Sequence, residues 1–191
     1  MSESIVFLKG ERVVLRLPDK ERDMELFLQW FNDEEVMRFL WVRYPLTRKG
    51  EEEWFDRISE SKTDFVFVIE TTDSSIPIGV IGLHQISYPD GTAVTGTTIG
   101  NQEYWGKGYG TDAKMLLLRY AFHTLGLRKI CSSVWAFNER SHRYALKCGY
   151  HEEARRKDQV FKDGEYHDEI LMAVYRQDWE KVWEEYKNQT S

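Results

Sequence analysis

The spacing of apolar residues divides the chain into stretches of different period. Glu11 to Leu17 (ERVVLRL) is a short apolar-rich run ending at Pro18, which predicts a strand, and Asp19 then stands as N-cap of a helix over Lys20 to Phe31. Leu26, Phe27, Trp30 and Phe31 recur there at helical spacing. A short helix is predicted over Glu34 to Leu40 and another over Thr47 to Glu60, with Trp54, Phe55 and Ile58 on its apolar side. In the middle, Phe65 to Glu70, Ile78 to Ile86 and Ala93 to Gly100 are rich in β-formers. Turn signals at Asp73-Ser74-Ser75 and Pro89-Asp90-Gly91 separate them, the pattern of an antiparallel meander. A glycine-rich run, Trp105 to Gly110, precedes a helical stripe of Ala113, Leu116, Leu117, Tyr120 and Ala121 within Thr111 to Leu125. Lys129 to Phe137 predicts a strand and Asn138 to Lys147 a helix stopped by Gly149. Gln159 to Phe161 with Glu169 to Tyr175 predicts a hairpin about Asp163-Gly164, and Gln177 to Tyr186 a closing helix.

These elements make one mixed α/β (α+β) domain over 1–191, with a core at about 11–176 and a mainly antiparallel sheet of six to seven strands flanked by helices. A length of 191 residues suits one core and leaves no room for two large ones. No window approaches the roughly 18 uninterrupted apolar residues of a bilayer span, and Met1 to Gly10 lacks a signal-peptide pattern, so a cytoplasmic location is expected. Cys131 and Cys148 are too few for a disulfide scaffold, and no Cys/His cluster has zinc spacing, so no metal is expected. A net charge of −6 argues against nucleic acid or anionic membranes as partners. It suits a cationic substrate, but mildly acidic balance more often serves solubility.

The segment that carries chemistry is Gly106-Lys107-Gly108-Tyr109-Gly110-Thr111, between a strand and a helix. A helix start offers unpaired N–H groups and the positive end of the helix dipole. Glycines permit positive φ and close approach of an anion, and Lys107 adds a cation at the rim. A tight turn needing glycine for its own geometry is the competing explanation. The P-loop pattern is not matched, because Lys107 is followed by Gly108. Gly108, Gly110 and Ala113 satisfy the GxGxxA of a dinucleotide site, yet Ile130 to Phe137 lacks the carboxylate that holds ribose hydroxyls. The loop is also expected to follow a meander rather than to open a parallel βαβ unit.

Tyr104-Trp105-Gly106-Lys107-Gly108-Tyr109-Gly110-Thr111 resembles the acyl-CoA signature of the GNAT superfamily of N-acetyltransferases. Asn138-Glu139-Arg140-Ser141 and Lys147-Cys148-Gly149-Tyr150 are similar to that superfamily's N-x-x-[SA] helix and terminal K-x-G-[FY]. The form of the loop, Ser141 and the Asp168…Gln177-Asp178-Trp179 pattern look like its RimJ/RimL branch, which acetylates ribosomal-protein N-termini and many small amines. The resemblance implies acetyl-CoA as cosubstrate and a primary amine as acceptor, either a protein N-terminus or a polyamine- or aminoglycoside-type small molecule, in a monomer or homodimer. A dinucleotide-binding domain and a non-catalytic CoA sensor are the readings from other classes.

Carried over, Trp105, Gly106, Lys107, Gly108, Tyr109, Gly110 and Thr111 bind the CoA pyrophosphate through backbone N–H groups, and Thr98, Ile99 and Gly100 pair with the pantetheine arm. Gly96 and Gly100 are compatible with a strand parting from its neighbour to admit that arm. Trp105 departs from the superfamily's Gln/Arg at that position, so its ring is expected to cover the loop or to pack. Asn138 is placed beside the pantetheine, and it is also a strong N-cap. Ser141 is the candidate general acid for the departing thiolate. Many members carry a tyrosine seven residues after the Asn, where this chain has Ala145. Tyr144 is one residue early and about 100° away around the helix. For the general base His84, Glu103, Asp158 and Asp168 are considered and none is chosen. Cys148 reads as a buried small residue, His142 and His151 as exposed, and Trp30, Trp41 and Trp54 as core or as lining of an acceptor cleft.

Overall fold

The computed structural model describes residues 5–190, so Met1 to Ser4 of the stretch inspected for a leader, and Ser191, lie outside the described residues. Eight strands form one sheet: β1 (Val6–Lys9), β2 (Val13–Arg16), β3 (Phe65–Thr71), β4 (Pro77–Ser87), β5 (Thr92–Ile99), β6 (Lys129–Trp135), β7 (His151–Lys162) and β8 (Glu165–Tyr175). Their order is β1-β2-β3-β4-β5-β6-β8-β7. The pairs β1/β2, β2/β3, β6/β8 and β7/β8 are antiparallel, whereas β5 and β6 are parallel. Six α-helices accompany them: α1 (Lys20–Phe31), α2 (Glu34–Met37), α3 (Arg48–Glu60), α4 (Tyr109–Arg119), α5 (Glu139–Lys147) and α6 (Arg176–Thr190). Among the described residues no helix is long and apolar enough to cross a membrane.

The structure departs from the sequence reading in definable places. The strand count is eight rather than six to seven, because β1 forms at the sheet edge from Val-Phe-Leu-Lys, three of whose four residues stay exposed. The terminal hairpin is far longer than expected, starting at His151, and α2 stops at Met37. The parallel pairing of β5 with β6 around α4 makes a βαβ unit at the glycine loop, where a meander alone was expected.

The chain forms two compact units, residues up to Gly82 with Thr97–Ala113, and Leu83–Gly96 with residues from Lys114 onward; β4, β5 and α4 run through both. In the first unit the apolar face of α1 builds the core. Phe27 is fully buried, stacks on Phe55 at 5.3 Å and meets the edge of Trp54 at 5.7 Å, with Met24, Trp30 and Val68 around it. Burial of one such ring contributes about 2 kcal/mol. Asp19 caps α1 by accepting the N–H groups of Glu21 and Arg22, and Thr47 caps α3. Arg16, fully buried in β2, donates to both oxygens of Asp23 at 2.7 Å and to Glu70 at 2.7 Å, and Arg22 joins Glu70 at 3.0 Å. Removing one member would strand a buried charge at a cost of about 3–5 kcal/mol.

In the second unit, β6 and β8 pair over seven positions, from Lys129↔Tyr175 to Trp135↔Glu169. Buried Trp179 of α6 packs on Phe122 and Trp183, with ring centroids 5.3 Å apart in each pair. After Arg119 the last turn of α4 widens to a π-helix over Tyr120–Thr124. Gly149 ends α5 with φ +89°, the left-handed conformation that stops a helix. β7 lies at the sheet edge with nine successive exposed residues, His151 to Gln159, and its pairing with β8 shifts register at Glu152/Ala154 and again at Arg156/Val160.

Candidate active site

The glycine loop opens α4. A single 3₁₀ turn, Gln102–Tyr104, capped by Asn101, leads into it. Gly106 (φ +74°) and Gly108 (φ +89°) occupy the left-handed region, which explains two of the three glycines by backbone geometry, whereas Gly110 lies inside the helix. A Cβ built on Gly106 would meet nothing within 4 Å, and one on Gly108 would meet only Arg12 Nη1, at 3.9 Å. Among the described residues the N–H groups of Gly108, Tyr109, Gly110 and Thr111 find no acceptor outside the helix, and the exposed Lys107 ammonium forms no ion pair. Exposed donors at the positive end of a helix suit an anion such as a pyrophosphate.

Two contacts hold this loop from far away in sequence. Asp112, 2% exposed in the first turn of α4, accepts the backbone N–H groups of Arg12 (2.8 Å) and Val13 (3.0 Å) at the start of β2. Arg12 Nη1 in turn donates to the carbonyl of Lys107 at 3.1 Å. The partners lie 95 to 100 residues apart, so no local motif signals them.

Thr98, Ile99 and Gly100 sit where β5 ends, in the same unit. Gly79 of β4 passes so close that a Cβ there would lie 2.1 Å from the Thr98 carbonyl oxygen. The N–H groups of Gly100 and Asn101 both donate to the Ile78 carbonyl, at 2.9 and 3.1 Å. Gly100 is required by packing, since a Cβ would fall 2.2 Å from the Trp30 ring. The Trp105 indole N–H donates to the Ile99 carbonyl at 2.7 Å, and its ring meets the edge of Phe39 at 6.1 Å. That ring is therefore engaged inside the protein. The parallel β5/β6 ladder covers only Thr92↔Lys129 to Val94↔Cys131, after which β5 continues for five residues. Gly96, just beyond, is exposed beside the His84 ring.

The other candidates belong to the second unit. Asn138 caps α5: its side-chain oxygen accepts the Ser141 N–H at 3.0 Å. The Ser141 hydroxyl, half-buried, has no hydrogen-bond partner among the described residues. Tyr144 turns its ring to Lys114, whose Nζ lies 5.8 Å from that ring and 5.6 Å from the Tyr150 ring. Lys114 is 3% exposed, and burial drives its ammonium pKa down to about 7. Tyr150, whose phenol pKa burial raises, shares a hydrogen bond of 2.9 Å with Thr95. Cys148 is fully buried and its thiol is pushed up to about 12 by desolvation, which makes it an inert core residue at neutral pH.

Of the groups weighed as base, Asp168 is occupied, accepting the Asp158 N–H at 3.0 Å and facing Arg155 at 3.5 Å. Asp158 holds a left-handed turn in exposed β7, with φ +50°. Glu103 is exposed in the 3₁₀ turn, and His84 is half-buried in β4. His151 is exposed as expected; His142 is half-buried instead, on the partly covered side of α5. Trp30 is core and Trp54 packs against the same cluster, but Trp41 is 54% exposed and is not part of the core. No cluster of metal ligands occurs among the described residues.

Comparison with known proteins places this geometry. Residues 12–151 match the family model of the acetyltransferase (GNAT) domain. The chain is similar to the SPbeta prophage-derived uncharacterized N-acetyltransferase YokL of Bacillus subtilis, at 26% identity over 93% of this chain and 97% of that one. It is similar to the [ribosomal protein uS5]-alanine N-acetyltransferase of Escherichia coli, at 31% identity over 44% of this chain and 43% of the other. In fold it resembles the spermidine N-acetyltransferase of Vibrio cholerae, solved with CoA and spermine, with a TM-score of 0.80 at 24% identity, covering 87% of this chain and 97% of that one. The chain belongs to the GNAT acetyltransferases, in the RimJ/RimL-like family, and is an N-acetyltransferase that takes acetyl-CoA as its cosubstrate.

Proposed function

We propose that this enzyme acetylates a primary amine, with Gly106 to Thr111 receiving the CoA pyrophosphate, Thr98 to Gly100 the pantetheine arm, and Asn138 and Ser141 serving the same cosubstrate from α5. The observation that carries the reading is the set of unaccepted N–H groups at Gly108 to Thr111, following glycines at positive φ. The exposed Lys107 adds a cation. Direct attack requires a neutral amine, and a free α-amino group, with a pKa of about 7.7–8.0, is partly neutral at pH 7, whereas a lysine-like amine near 10.4 must be deprotonated first. The partner-free Ser141 hydroxyl suits donation of a proton to the departing thiolate.

The relatives support two acceptor classes: a protein amine, since the E. coli enzyme is named for an alanine of ribosomal protein uS5, and a polyamine, since the V. cholerae enzyme is solved with spermine. Calorimetric titration with acetyl-CoA, with NADH and NADPH in parallel, comes first. Acetyl-CoA alone should bind, and a nicotinamide signal without it would overturn the reading. Thiol release with an N-terminal ribosomal-protein peptide and with spermidine then chooses the acceptor; CoA binding with no turnover on any amine would indicate a sensor. Ser141→Ala should leave acetyl-CoA affinity unchanged and lower kcat about a hundredfold or more, the scale of general acid catalysis. Full activity, with chemistry limiting the rate, would remove Ser141 from that role.

A further inference from the structure

Arg12 lies outside the glycine motif, yet its side chain ends on that loop. We infer that Arg12 is a positioning residue for cosubstrate binding: by holding the Lys107 carbonyl it aims the Gly108 N–H at the phosphate. The inference rests on the reading of the loop as the pyrophosphate site. The peptide between Lys107 and Gly108 is trans, so its C=O and N–H point in opposite directions. With the oxygen held by Arg12 Nη1 at 3.1 Å, the Gly108 N–H is turned the other way, and it finds no acceptor among the described residues. Left to itself, a peptide in so glycine-rich a loop rotates at little cost, and its N–H would be directed only part of the time.

Arg12 is built for this task. Its own backbone N–H is fixed by the buried Asp112 carboxylate at 2.8 Å, in the first turn of the very helix the loop opens. Among the described residues its guanidinium forms no ion pair, so no carboxylate competes with the Lys107 carbonyl for it. One side chain and one carboxylate thus tie β2, the loop and the start of α4 into a fixed cradle within the first unit.

The test is the affinity of the wild-type protein, Arg12→Gln and Arg12→Lys for acetyl-CoA, with urea unfolding of each and the amide resonance of Gly108 followed as CoA is added. Arg12→Gln should bind about tenfold more weakly, as expected for loss of one charge-assisted hydrogen bond. Its unfolding midpoint should stay close to wild type, and the CoA-induced shift of the Gly108 amide should shrink. Arg12→Lys, which can still reach the carbonyl, should recover most of the affinity. Wild-type affinity in Arg12→Gln, or an unchanged Gly108 shift, overturns the inference while leaving the loop as the cosubstrate site. A wild-type protein that does not bind acetyl-CoA overturns the reading of the loop and this inference together.

Discussion

Among the donors that find no acceptor within the described residues, which include the buried Trp179 indole N–H, the glycine loop and Lys114 make an instructive contrast. At Gly108 to Thr111 the donors are backbone N–H groups on an open loop; at Lys114 the donor is a side-chain ammonium, 3% exposed between two tyrosine rings. Open donors remain hydrated and lose little until a ligand arrives. A nearly buried donor has little water, and desolvation favours its neutral form, which lowers the Lys114 pKa to about 7. An unpartnered donor therefore stays available to a ligand in the first setting and is a stability cost in the second.

The contrast breaks most sharply at Gly108. Gly108→Val forces a branched side chain into φ +89° and onto the loop that offers its N–H groups. Acetyl-CoA affinity should fall about a hundredfold, equivalent to about 2.7 kcal/mol; a loss below threefold would show that the loop donors are not used. Lys114→Met tests the sealed donor. The unfolded chain keeps its lysine charged up to about pH 10.4, so from pH 7 to that value the unfolded state holds a proton the folded state lacks, and wild-type stability rises with pH. The variant should be more stable by about 4–5 kcal/mol at pH 6, with the advantage vanishing above about pH 10 in urea titrations. A pH-independent difference would mean that Lys114 stays charged.

Asp112 is an intermediate case, buried but fully used, with a carboxylate receiving two N–H groups. Asp112→Asn should cost about 1–2 kcal/mol of stability and a few-fold in acetyl-CoA affinity. Trp105→Phe keeps the ring against Phe39 but removes the N–H given to Ile99; about 1 kcal/mol of stability should go, with kcat unchanged. A larger loss in kcat would give Trp105 a part in the chemistry.

How much of this was readable beforehand depended on the range of the contact. The loop, the cap at Asn138 and the long amphipathic helices are written in adjacent residues, and they form where their spacing puts them. β1 and the first half of β7 were missed because pairing, rather than burial, holds them. An edge strand with one buried residue in twelve shows no alternation to read. The same limit hid Arg12, Asp112 and the engagement of Trp105 with Ile99. Gly100 illustrates the ambiguity best, since its sequence context suggests room for a ligand and its actual neighbour is the Trp30 ring.

The exposed edge formed by β7 has a consequence for the protein in bulk solution. A straight edge strand is a template on which other chains polymerise, but His151 to Gln159 carries acidic and basic groups in close succession, and two register shifts spoil the regular ladder. Such an edge resists growth of intermolecular sheets, so the longest hairpin of the fold carries its own guard against aggregation along the β7 edge.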